Sequence, residues 1–309
     1  MTSSASASDV PAGLARPTLY QPTADEHPWL NRAEMLRYLG YSGQDIEPEL
    51  EQRIEHVVTD LERDISPRGV RRVFAVDASE TDATGEPCIR LIGTAVELTG
   101  RDIYRHLKDA RYCALLACTL GMASERKLRM LGSQHPLESA VFDAACSAYV
   151  EAAVGQMDDA VRDSAAQLGL SCNWRFSCGY GDCPLAAQRS IVAALNAARL
   201  IGLTVTPTNL LLPTKSVTAM IGLFDGPVHD AKSRPTCNIC RLREECRFRA
   251  RHHLLQRVGA SARSGTPGGV LSVLTKLGNL APNAQERAKR RWARFQFGPV
   301  SAARSWRSA

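Results

Sequence analysis

The stretch Leu137–Leu168 most constrains the fold open to this chain. Phe142, Ala145, Tyr149 and Ala152 recur on one stripe at helical spacing, so the segment reads as a single long amphipathic helix. Strand-like apolar runs bracket it. Val70–Val76, Cys88–Leu98 and Tyr112–Leu120, the last ended by Gly121, come before it. Trp174–Ser177, Leu210–Leu212 and Ser216–Leu223 come after. The turn-like Asp82-Ala-Thr-Gly85 suits a hairpin between the first two runs. Shorter helices are expected at Asn31–Leu39, Ile46–Ile65 and Asp102–Leu107, the second with Leu50, Ile54, Val57, Val58 and Leu61 on one face. A further helix opens at Pro184, whose missing N–H costs nothing there, and closes at Gly202. These elements predict an α+β fold, an antiparallel β-sheet flanked by helices, in one domain over residues 30–226.

Around that domain the composition changes. Residues 1–29 are rich in Ser, Ala, Thr and Pro and read as disordered. Residues 227–260 read as a Cys-rich appendage, and residues 261–309 as a basic C-terminal tail. The net charge is +6, yet Arg234–Ala309 alone carries +13 and the remainder −7. An acidic body with a basic tail points the tail toward an anionic partner, or toward a solvated segment that aids solubility. Within it, Arg287-Ala-Lys-Arg-Arg-Trp-Ala-Arg-Phe-Gln-Phe297 interleaves cations with aromatic rings, a pattern that suits an acidic protein or a nucleic-acid backbone. There is no apolar run of transmembrane length, and the first residues lack a signal peptide's basic and apolar regions. A cytoplasmic protein with ten reduced cysteines is the expectation.

Function has to be sought in Arg175-Phe-Ser-Cys-Gly-Tyr-Gly-Asp-Cys-Pro184 and, opposite it, Pro213-Thr-Lys-Ser-Val-Thr-Ala-Met-Ile-Gly222. Gly179 and Gly181 free the backbone for close approach to a ligand. Arg175 is suited to a bidentate grip on a carboxylate, and Tyr180 offers a flat face with a hydroxyl. The competing reading is a tight turn that caps the Pro184 helix, with Asp182 serving its N-terminus.

The same residues carry a resemblance. Arg175 through Leu185, with Gln188, resembles the activation domain of vitamin B12-dependent methionine synthase, and more closely its stand-alone activation-domain-like relatives. Leu39-Gly-Tyr41, Ala117-Cys-Thr-Leu-Gly121, Asp143 through Glu151, Ile201-Gly202, Pro213 and Lys215-Ser-Val-Thr-Ala219 are similar as well, so the likeness runs from about Leu30 to Leu223. It implies binding of S-adenosylmethionine and support for the return of cob(II)alamin to methylcobalamin by reductive methylation. The electron would come from flavodoxin or another donor. It further implies that Arg175 holds the ligand carboxylate, that Gly179 and Tyr180 line the ligand, and that Glu151 faces its cationic end. Cobalamin would sit on a partner, because nothing here resembles a cobalamin, folate or homocysteine module. The chain would then act in trans on a methionine synthase or related corrinoid protein. Two departures stand out: Cys178 replaces the family's Pro before Gly-Tyr, and Met220-Ile221 replaces an aromatic pair.

Cys237-Asn-Ile-Cys240 and Cys246 form a second candidate site, with spacing that suits zinc or an iron–sulfur cluster. A fourth ligand would come from Cys172, Cys178, Cys183, His252 or His253. This cluster supports an alternative function, a metal-bearing accessory or electron-transfer protein without adenosylmethionine chemistry. Cys88, Cys113, Cys118 and Cys146 read as buried core, and His106 and His135 as isolated.

Overall fold

The computed structural model describes residues 10–228 apart from Ser42; Cys237, Cys240, Cys246 and the basic tail lie outside the described residues. In chain order the strands are β1 (Thr18–Tyr20), β2 (Arg68–Asp77), β3 (Ile89–Leu91), β4 (Glu97–Leu98), β5 (Tyr112–Thr119), β6 (Leu170–Cys172), β7 (Thr204–Val205), β8 (Leu211–Leu212) and β9 (Ser216–Asp225). The helices are α1 (Ala12–Ala15), α2 (Arg32–Tyr38), α3 (Pro48–Asp64), α4 (Arg101–Leu107), α5 (Gly121–Gln134), α6 (Pro136–Gln167), α7 (Gln188–Ala194) and α8 (Ala197–Ile201). Among the described residues, no helix is long and apolar enough to cross a membrane.

Seven strands form one antiparallel sheet in the order β4-β3-β2-β5-β9-β6, with β1 also paired to β2. Its centre is β5, which pairs with β2 and β9 along its whole length, as in Ala114 opposite both Val73 and Ile221. All eight of its residues are buried because both sheet faces are covered. Tyr112, Ala114, Leu116 and Cys118 point into a core shared with α2, α3 and α6. Cys113, Leu115 and Ala117 point into a second core under α4, α7 and α8. The fold is therefore α+β in three layers.

The long helix runs as expected. Phe142, Ala145 and Tyr149 are fully buried, each large one contributing roughly 1.5–3 kcal/mol. Ala152 is only half-buried, and the stripe continues instead through Ala153, Val154 and Met157. The period of 3.6 drifts, so no fixed spacing stays on one face for so many turns. Asn31 caps α2 by accepting from Glu34 N at 3.1 Å.

Several elements differ from the sequence reading. Cys88–Leu98 is two short strands, because the turn after Leu91 reverses the chain and Thr94 Oγ1 bonds back to Leu91 O at 2.7 Å. Gly121 opens α5, a helix the periodicity did not disclose. The helix expected from Pro184 to Gly202 is a 3-10 turn followed by α7 and α8. Asn196, in the left-handed region at φ 51°, separates the two helices. Residues ahead of Pro28 carry α1 and β1, held by pairing of Thr18–Tyr20 to Gly69–Arg71.

Candidate functional site

The Arg175 segment is an irregular continuation of β6 along the edge of β9. Cys172 pairs with Leu223 and Phe176 with Met220, so the edge carries one residue more than β9 between those two pairs. That is a β-bulge, and it reverses which face each following side chain takes. Phe176 consequently joins the core under α4 and α7, and Arg175 turns to α6 on the opposite layer.

Asn173 holds the bulge. Its Nδ2 donates to His106 O at 2.8 Å, its Oδ1 accepts from Gly222 N at 2.8 Å, and its N donates to Gly222 O at 3.2 Å. A buried amide satisfied on both ends fixes the local path. Arg162 on α6 adds bonds to Asn173 O at 2.7 Å and Cys172 O at 3.3 Å. Downstream, Ser177 Oγ donates to Thr218 O at 2.8 Å, and the buried Gln188 links Thr218 Oγ1 to Asn209 O.

On the α6 side, charges alternate along one helical stripe. Arg175 Nη2 lies 3.2 Å from Glu151 Oε2, and Nε lies 3.5 Å from Asp158 Oδ2. Asp158 Oδ1 is 2.8 Å from Arg162 Nε, a charge contact without an aligned N–H. One and two turns further toward the helix start, Lys215 Nζ meets Ser147 Oγ at 2.9 Å and Asp143 Oδ1 at 2.8 Å. Asp143, Ser147, Glu151 and Gly155 recur every four residues, so they share a face. A side chain built at Gly155 would meet nothing within 4 Å, so there is open space beside Glu151 and Asp158.

The two groups assigned by resemblance to opposite ends of a ligand, Arg175 and Glu151, are thus brought together and paired with each other. Gly179 and Tyr180 sit across the sheet edge. There His106, Trp174, Phe176 and Tyr180 form a row of rings with successive centroids 4.4, 5.3 and 6.2 Å apart. Tyr180 ends the row and is 49% exposed. A separate open groove of about 670 Å³ lies between α2, α5 and α6, lined in part by Tyr38, Glu125, Arg129 and Asp143.

Asp182 does cap a helix, but not the one at Pro184. Its Oδ2 and Oδ1 accept from Arg101 N at 2.8 Å and Asp102 N at 3.0 Å, the first amides of α4. The residue before α4 is Gly100 at φ 114°, and a Cβ there would fall 2.9 Å from Asp182 O. The turn is compact: Gly179 N donates to Cys183 O and Cys183 N to Tyr180 O, at 3.0 and 3.1 Å.

Cys172, Cys178 and Cys183, offered above as a fourth metal ligand, are buried free thiols. Among the described residues, no group of three or more His, Cys, Asp or Glu is arranged to hold a metal. Sequence reasoning missed Asn173, Arg162 and Asp158. The four-residue recurrence from Asp143 to Gly155 was the available sign of a polar stripe on α6.

No known family model matches the chain, and no curated protein matches it in sequence. A solved structure is similar in fold: the MetH reactivation domain bound to AdoHcy, with a TM-score of 0.51, covering 73% of this chain and 83% of that one. The likeness is one of fold. At 13% identity the two chains share architecture and little sequence, and the shared architecture is the antiparallel sheet flanked by helices described above.

Proposed function

We propose that this chain binds S-adenosylmethionine beside α6 and supports the reductive reactivation of a cobalamin-dependent methionine synthase, or a related corrinoid methyltransferase, acting in trans. The observation that carries this reading is Arg175 aimed by the bulge at Glu151 and Asp158, in the fold of a domain whose solved relative holds AdoHcy. The residues fit such a ligand. An α-carboxylate needs a guanidinium, and an ammonium or sulfonium needs carboxylates; both kinds of group are present beside open space at Gly155. The Arg175–Glu151 pair does not bar entry. It is partly exposed, so a ligand carboxylate that takes over the guanidinium can release Glu151 to face the cationic end. Tyr180, half-exposed across the sheet edge with Gly179 beside it, would meet the remainder of a ligand that extends over that edge.

Methyl and electron transfer would belong to the sulfonium, to the partner's corrinoid and to a flavodoxin-like or other donor. This chain would contribute binding and orientation. A thermal-shift titration tests the binding step. At about one hundred times Kd, adenosylmethionine should stabilise the protein by about 2.7 kcal/mol, or about 5–10 °C. Arg175→Ala should abolish that shift, and Glu151→Gln should reduce it. No shift in the unaltered protein at millimolar ligand overturns the reading.

A further inference from the structure

The Gly-Tyr-Gly turn is closed at its base by two buried cysteines. Cys178 precedes Gly179, Cys183 follows Asp182, and the backbone bonds of the turn bring the two ends side by side. Both thiols belong to the same buried core, and each acts on the other's ionisation. Both lie in the core under α4 and α7, Cys178 8% and Cys183 3% exposed, so the first is the one a small reagent meets.

We propose that Cys178 and Cys183 are an oxidisable pair that closes to an intramolecular disulfide under peroxide, locking the turn that carries Tyr180. The chemistry balances with one equivalent of hydrogen peroxide. The Cys178 sulfur attacks a peroxide oxygen, the O–O bond breaks, and sulfenic acid and water result. The Cys183 sulfur then displaces the sulfenic oxygen, which leaves as a second water with the Cys183 proton. In sum, two thiols lose two hydrogens and one peroxide becomes two waters.

Geometry and electrostatics agree on the direction of attack. The neighbouring Cys183 draws the Cys178 thiol below its ordinary range, against the opposing effect of burial, while Cys178 and burial hold Cys183 up. The other described cysteines differ. Burial pushes Cys88, Cys113, Cys118, Cys146 and Cys172 up, and no second thiol acts on any of them. A disulfide holds its sulfurs at about 2.05 Å, so closure draws the two ends of the turn inward. Gly179 at φ 87° and Gly181 at φ 51° already hold it in backbone conformations that leave room to adjust.

The test uses the full chain and needs no ligand, so its outcome is independent of adenosylmethionine binding. The protein is treated with about one equivalent of hydrogen peroxide, its free thiols are alkylated, and it is digested with trypsin. Cleavage after Arg175 and Arg189 releases a peptide whose cysteines are Cys178 and Cys183 alone. The expected product is that peptide unalkylated and lighter by two hydrogens, restored by dithiothreitol. In Cys183→Ser, Cys178 should instead be trapped by dimedone as the sulfenic acid. The proposal is overturned if the peptide stays fully alkylated while other cysteines oxidise. It also falls if Cys178 is found joined to any cysteine other than Cys183.

Discussion

His106 sits where a positive charge is unwelcome. Trp174 and Phe176 crowd its ring, its Nε2 has no partner among the described residues, and burial pushes its pKa down from 6.5 to about 4. Between those values the unfolded chain binds the proton and the folded chain does not. Stability from the neutral imidazole is therefore complete above about pH 6.5 and is lost as the pH falls toward 4, by roughly 3 kcal/mol. Urea denaturation at pH 7 and pH 5 measures it: His106→Gln should lose distinctly less stability on acidification than the unaltered protein. An equal loss in both would show that other groups govern the acid limb. The sequence showed His106 only as an isolated histidine, because its surroundings come from the aromatic row 68 and more residues downstream. Arg175 and Glu151 were legible by resemblance, but their mutual pairing was not. It depends on the one-residue bulge after Cys172, and the count of residues along a sheet edge is set by pairing with β9.

At the scale of elements, the most informative junction is the one between the Tyr180 turn and α4. Gly100 and Gly181 interlock with Asp182 and Asp102, and their substitutions should differ in size. Gly100 at φ 114°, ψ 144° occupies backbone space that residues with a Cβ avoid, and the added atom meets Asp182 backbone at 2.9 and 3.0 Å. Gly181 at φ 51° is in the left-handed region that other residues enter for about 1–2 kcal/mol, and its nearest obstacle is the Asp102 side chain. Gly100→Ala should therefore be more destabilising than Gly181→Ala, by about 1–3 kcal/mol in chemical denaturation. Asp182→Ala should cost about 0.5–2 kcal/mol through loss of the cap. Were Asp182 neutral to substitution, the two bonds to α4 would not be holding it. Element positions were largely legible, since α3 and α6 show helical apolar spacing and β2, β5 and β9 are apolar runs of strand length. Cap partners were not, because Asp182 is far in sequence from the helix it serves and near another that it does not serve.

At the scale of the whole molecule, the two cores and the seven-stranded sheet seen among the described residues are built from residues 10–228. A chain ending at Val228 keeps both of these cores and this sheet, and is expected to unfold in one transition, with Tm within about 4 °C of the full chain, a difference of about 1 kcal/mol. Loss of cooperativity on truncation would assign part of the core's stability to residues beyond 228. The α+β architecture could be anticipated from the alternation of strand-like and helical periods. The order of strands could not, because placing β9 between β5 and β6 requires long-range pairing that local pattern does not encode.

The capping of α4 bears on how the chain is made. Asp182 lies 80 residues after the amide of Asp102 that it caps. During synthesis on a ribosome, α4 emerges with its first amides bare and stays so until that later stretch has been translated and folded back. A helix of two turns has little persistence alone. It is thus expected to be among the last parts of the nascent domain to settle, whatever its own helical propensity.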